Sequence, residues 1–340
     1  MSKSQSVSMT DIARHLNISQ ATVSYVLSGR ASGSVSEVTR KRVMEAAQEM
    51  GYRRNRAAQA LAGHGSHIIE FCVTGFYPSY YGQILEAFDV ELRSTPYELH
   101  IVNPVFSNEK EWGFSKGDWP IDGVIADTPL PEDMLASLKQ RGTPVVSVGL
   151  FTHTETDHVF VDMTPALLEG IRQLAAHSRR VAFVSMWEPH PVTVGYRQDS
   201  RYPAYSQVMR ETGLKEEMII AHESEGLSQR AVAHQTVRDY IAQNGSPDAF
   251  FCFNDERAIG TLAALRDMGI RVPQDARLLG CDGIEDSAYH SPAISTIQYP
   301  FAEVARLSWQ FLLNRIKNPD VPLQSATLTA QLVQRASSAP

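Results

Sequence analysis

Cysteine is scarce in this chain of 340 residues: Cys72, Cys252 and Cys281 stand far apart inside apolar runs. With no CxxC pair and no histidine at ligand spacing, a disulfide scaffold or thiolate metal site is excluded, and all three read as buried small hydrophobes in a reducing compartment. A membrane span of about eighteen apolar residues is also missing. The N-terminus MSKSQSVSMT lacks the apolar stretch of a signal peptide. A cytoplasmic protein without membrane association is therefore expected. Enzyme signatures are absent too: there is no GxGxxG, P-loop or nucleophile elbow. His153, His158, His177, His190 and His222 follow no HxxxH or HExxH pattern, so neither a metal nor another cofactor is expected.

What is present is the composition of a soluble globular protein, 43% apolar and 20% charged, long enough for two or three compact units. The net charge of -7 is unevenly spread. Residues 1–62 hold nine Lys and Arg against four Asp and Glu, a balance of +5, which leaves -12 for the remainder. A small basic head on a large acidic body suits nucleic acid, because neutralising phosphates dominates non-specific DNA affinity.

Helical spacing in that head comes in short pieces. Ile12, Ala13 and Leu16 share one face, Val23, Val26 and Leu27 another, and Asn17-Ile18-Ser19 lies between them. Asn tolerates the left-handed backbone of a tight turn, and Ser19 can cap the following helix as Thr10 can cap the first. Two capped helices on a three-residue turn make a helix-turn-helix. A third helix is expected from Ser36 through Met50, with Gly51 at its C-terminal cap. Residues 55–62, NRAAQALA, are strong helix formers without a large apolar face and would fold only when something orders them.

From His67 onward apolar strands alternate with helices. Strands are read at 68–73, 99–103, 123–127, 145–149, 159–162, 181–186, 218–221, 249–253 and 278–281, and helices at 83–92, 165–176, 228–243 and 257–268. The alternation implies two parallel sheets covered on both faces, with ligands beyond the carboxyl ends of the strands. Phe301, Trp309 and Phe311, at helical spacing, read as core.

These segments resemble the lactose-repressor and purine-repressor family of bacterial regulators (LacI/GalR type) over essentially the whole chain. The resemblance is carried by Met9 to Arg14, Ser19 to Leu27, Thr39-Arg40, Val43, Gly51-Tyr52 and Asn55 to Ala62. It implies an α-helical helix-turn-helix domain (1–54), a hinge helix (55–62), and a two-lobed α/β effector domain like a periplasmic sugar-binding protein (63–340). Lobe 1 is expected at about 67–163 and 294–323, lobe 2 at about 164–293 and 324–338.

In the family the second helix enters the major groove. Gln20, Ala21 and Tyr25 should then face base edges while Thr22 and Ser24 meet phosphates. Thr10, Ser19, Arg30, Asn55, Arg56 and Ala58 join them among the DNA-contacting residues. Leu61 matches the leucine wedged into a minor-groove base step. Tyr25 packed on its own helix, and Leu61 on the core, are the alternatives.

In the body Tyr80, Tyr81, Arg201, Asn254 and Asp282 stand at effector-binding positions. Aromatic faces stack on a sugar or base, and Arg, Asn and Asp supply donors and acceptors for hydroxyls. A tyrosine pair can equally be core, and an Asp at a strand end a helix cap. Ala204 and Gly149 depart from the family pattern, where a glycine and often an acid stand. The resemblance further implies a homodimer on a palindromic operator in double-stranded DNA and a small effector between the lobes. A sugar is the first expectation and a purine or other polar metabolite acting as corepressor the alternative. The tail after Gln334 carries no leucine heptads, which argues for a dimer over a tetramer. A solute-binding protein would account for the body but not for the basic head.

Overall fold

A computed structural model describes residues 7–27, 35–52, 65–74, 78–103, 120–188 and 196–339. The chain divides into two compact units, Met1–Ser66 and His67–Pro340. Residues 55–62, and with them Asn55, Arg56, Ala58 and Leu61, lie outside the described residues, as does Arg30.

The first unit has three helices, α1 (Met9–Leu16), α2 (Gln20–Leu27) and α3 (Glu37–Glu49). Ser8, not Thr10, caps α1. Its extended backbone lets Oγ accept the Asp11 amide at 3.3 Å, while the Asp11 carboxylate accepts the Ser8 amide at 2.9 Å. Thr10 already lies inside the helix, where it cannot cap it. Asn17 takes the left-handed conformation at φ 52°, and Ser19 Oγ accepts the Thr22 amide at 3.1 Å to open α2. Gly51, at φ 68°, follows the end of α3. Ile12, Val23, Val26, Val43 and Ala46 close a small core among the three helices.

The second unit holds two six-stranded sheets. Its elements run β1 (Ile68–Cys72), α4 (Pro78–Leu92), β2 (Glu98–Val102), β3 (Gly123–Ala126), α5 (Glu132–Gln140), β4 (Val145–Gly149), β5 (Asp157–Asp162) and α6 (Thr164–Ala175). They continue with β6 (Val181–Ser185), α7 (Arg201–Thr212), β7 (Glu217–Ile220), α8 (Gln229–Asn244), β8 (Ala249–Cys252), α9 (Asp255–Asp267) and β9 (Arg277–Asp282). The last are β10 (Ser295–Gln298), α10 (Phe301–Lys317), β11 (Ser325–Thr329) and β12 (Gln331–Val333). The first sheet is ordered β11-β5-β4-β3-β1-β2 and the second β12-β10-β9-β8-β6-β7. Their pairings are parallel except that of β10 with β12. Helices on both faces explain why β3, β6 and β8 are buried at every residue and, Ser185 apart, carry no polar side chain.

The lobes exchange chain at different places from those expected. Ser295–Gln298 pairs with β9 and so belongs to the second lobe, whereas Ser325–Thr329 pairs with β5 and completes the first. Neither short, polar strand carries an apolar signal, because each lies next to an edge or forms one. Helix α4 also begins at Pro78, five residues before the apolar periodicity at Gln83.

Candidate functional site

In the first unit α2 buries Val23, Val26 and Leu27 and turns Gln20, Ala21 and Ser24 to solvent, with Thr22 and Tyr25 half-buried. The 3.6-residue period alone separates these sets. Ser19 and Thr22 hydroxyls lie 2.8 Å apart, so each is held in place by the cap. Arg14 and Lys41, 77% and 78% exposed, pair at the surface with Asp11 at 3.3 Å and Glu45 at 3.9 Å.

In the second unit the five residues expected at the effector site, drawn from positions 80 to 282, line one cavity of about 520 Å³. Tyr80 and Tyr81 lie in the first turns of α4. Tyr81 is fixed by the Thr74 amide, which donates to its hydroxyl at 3.2 Å. Tyr80 sits edge-on to Tyr81, Tyr299 and Phe301, its centroid 5.1–5.4 Å from theirs. Such a cluster is rigid and offers ring faces to a ligand.

Arg201 opens α7. Nε and Nη2 fork onto Asp199 at 2.7–3.0 Å, Nη1 donates to the Phe253 carbonyl at 2.8 Å, and the guanidinium carbon stands 3.5 Å from the Phe253 ring centroid. Burial opposes its charge, but Asp199, by charge and hydrogen bond, together with Cys281 and Asp282 outweighs that and raises the guanidinium further above its ordinary range.

Asp282 ends β9 at φ 111°, a backbone that non-glycine residues rarely adopt. Its neighbourhood is held by Asp255, buried at the start of α9, whose carboxylate accepts the amides of Gly283 at 2.8 Å and Ile284 at 2.9 Å and the Thr296 hydroxyl at 2.7 Å. Gly280 is required there, since a Cβ would lie 2.0 Å from Asp255 Oδ1. Burial pushes the Asp282 carboxyl well above the usual range, against the pull of Arg201.

Asn254 is more committed than its sequence position suggests. Its Oδ1 accepts the Arg257 amide at 3.0 Å as the cap of α9, and its Nδ2 donates to Gln229 at 2.7 Å. One amide proton is left for a ligand.

Sequence reasoning missed Asp127, Asp199, Trp187, Phe253 and Tyr299, which line the same cavity. Asp127 directly follows the apolar strand β3, and that position at a carboxyl end was the available signal. Burial pushes its carboxyl up to about 8, with the Tyr80 hydroxyl and Arg201 pulling it down.

Several ties cross the cleft, among them the Glu285 amide donating to Gln83 Oε1 at 3.1 Å and the Arg197 amide donating to the Thr152 carbonyl at 3.2 Å. The Leu130 amide donates to the Tyr196 hydroxyl at 2.8 Å, and Tyr196 donates in turn to the Leu130 carbonyl at 3.3 Å. Arg230, paired with Glu256 and Asp286 at 2.6 Å, also donates to Ser79 Oγ at 3.1 Å.

Residues 8–55 match the family described as bacterial regulatory proteins, lacI family, and residues 172–338 match a periplasmic binding protein-like domain. The HTH-type transcriptional repressor PurR of Escherichia coli O1:K1 is 27% identical, over 97% of this chain and 96% of its own. A LacI-family transcriptional regulator from Silicibacter pomeroyi is similar in structure with a TM-score of 0.81, at 22% identity over 98% of this chain and 100% of that one. The lac repressor dimer bound to operator and the anti-inducer ONPF has a TM-score of 0.75, at 21% identity over 99% and 100% of the two chains. No helix among the described residues is long and apolar enough to cross a membrane.

Proposed function

As a member of the lacI family of bacterial regulatory proteins, whose relatives are transcriptional regulators and not enzymes, this chain is a DNA-binding transcriptional repressor, and we propose that a small sugar in the cleft sets its operator affinity. The observation that carries the effector reading is the convergence of Tyr80, Tyr81, Arg201, Asn254 and Asp282 on a single cavity. Ring faces with a guanidinium and carboxyls at the edges suit a polyhydroxylated ring, which presents apolar C–H faces and a rim of donors and acceptors.

On the DNA side, Gln20, Ala21 and Tyr25 read base edges from α2. Thr10, Ser19, Thr22, Ser24 and Arg30 meet phosphates, and residues 55–62, with Asn55, Arg56, Ala58 and Leu61, form the hinge in the minor groove. The exposed Gln20–Ala21–Ser24 face supports this assignment. A homodimer on a palindromic operator follows from the two-fold symmetry such sites require. Effector and operator are coupled reciprocally: a sugar that prefers one lobe orientation changes operator affinity, and the operator changes sugar affinity by the same factor.

A thermal-shift screen of sugars and nucleobases against the full chain tests the reading, because a ligand of the native state raises the melting temperature. A sugar that stabilises the chain and shifts operator binding in a gel-shift titration is the expected result. Stabilisation by a nucleobase, with none from any sugar, overturns the sugar assignment.

A further inference from the structure

Gly149, the last residue of β4, has a φ of 84°. A Cβ built on it would lie 2.5 Å from Asp127 Oδ1 and 3.1 Å from the Tyr299 hydroxyl. The volume that a side chain at 149 would occupy is thus held by the Asp127 carboxyl, delivered from the end of β3, the neighbouring strand. That carboxyl lines the cavity between Tyr80 and Tyr299 on the first-lobe side, and Asp282 and Arg201 line it from the second lobe. Asp127 forms no ion pair among the described residues, whereas Arg201 has its charge matched by Asp199 at 2.7 Å.

We propose that Asp127 is a specificity-determining ligand contact: from the first lobe it grips ring hydroxyls of a neutral polyol whose other edge is held by Arg201 and Asp282, and Gly149 keeps open the space it needs. The proposal rests on the reading of the cavity as a sugar site. Its chemistry is that of two carboxyls on opposite lobes. A hydroxyl can donate to one while a neighbouring hydroxyl on the same ring donates to the other, so the ligand itself bridges the cleft. A phosphate or carboxylate on the ligand would share the lining with two arginines, Arg201 already paired with Asp199 and Arg197 exposed and held over the Phe160 ring, while the carboxyls of Asp127, Asp282 and Glu223 offer it no countercharge. That balance favours uncharged sugars over phosphate esters.

Isothermal titration of the full chain with D-ribose, D-glucose and lactose, and with ribose 5-phosphate and glucose 6-phosphate, tests this. At least one neutral sugar is expected to bind, and neither phosphate ester to bind more tightly than its parent. For the sugar that binds, Asp127→Ala weakens affinity tenfold or more and Asp127→Asn threefold or more. Should the alanine variant lose its native melting transition, the asparagine variant decides. Wild-type affinity in variants that melt normally, alongside loss in Asp282→Ala, overturns the role of Asp127 and leaves the sugar reading standing. Tighter binding of a phosphate ester overturns the neutral-ligand assignment. Binding of none of the three neutral sugars overturns both.

Discussion

Arg201, a ligand donor in the proposed site, is also a structural clamp. Replacing it by lysine keeps a charge but loses the planar fork onto Asp199 and the stacking on Phe253. Replacing it by alanine leaves Asp199 without its partner. Arg201→Ala is expected to destabilise the second unit by about 3 kcal/mol. Urea denaturation checks this, and an unchanged midpoint would remove the clamp from the account.

Asp127 carries a pH signature. Its carboxyl binds a proton more tightly in the fold, at about 8, than free, at 3.8, so the folded state holds more protons between those values and stability falls as pH rises through that window. Between pH 6.5 and 8.5 the melting temperature of the wild-type chain should therefore fall more steeply than that of Asp127→Asn. Parallel melting curves across that range would show that the group does not titrate there.

Elements carry their own tests. The reciprocal cap of α1 uses Ser8 and Asp11, and Ser8→Ala should cost the first unit about 1 kcal/mol in a thermal melt. Helices α8 and α9 touch through Gly260, where a Cβ would meet the Arg230 carbonyl oxygen at 2.2 Å. Backbone cannot yield as a side chain can, so Gly260→Ala should cost about 3 kcal/mol by denaturation, far more than Gly→Ala costs in an open helix.

At this scale legibility followed local signal. The turn at Asn17, the cap at Ser19 and the apolar strands β1, β3, β6 and β8 were readable because each is a local pattern of residue types. Strands β10, β11 and β12 were not. SATLT and QLV take their places from partners more than a hundred or some tens of residues away, and only tertiary pairing distinguishes them from loop. The site divides in the same way. Tyr80, Arg201 and Asp282 stand at recognisable positions; Asp127 had a signal in its place just after β3, but the room it fills beside Gly149 is a property of two adjacent strands and not of either sequence segment.

For the whole molecule, the ties across the cleft set how freely the lobes of the second unit open. Tyr196→Phe removes both hydrogen bonds to Leu130, about 1 kcal/mol of closure, and should speed exchange of the Leu130 amide about fivefold with little change in global melting. Unchanged exchange would assign closure to the other ties, those of Arg230 with Ser79, Glu285 with Gln83 and Arg197 with Thr152.

The chain exchange between lobes reaches further. Lobe 1 lacks an edge until Ser325–Thr329 arrives beside β5, and lobe 2 lacks one until Gln331–Val333 arrives beside β10. During synthesis, then, neither sheet can be finished before almost the entire polypeptide has left the ribosome, whereas the three-helix head has its own core within the first fifty residues. The part that reads the operator is ready well before the part that governs it, and a nascent or prematurely terminated chain would carry a folded reader with no working control over it.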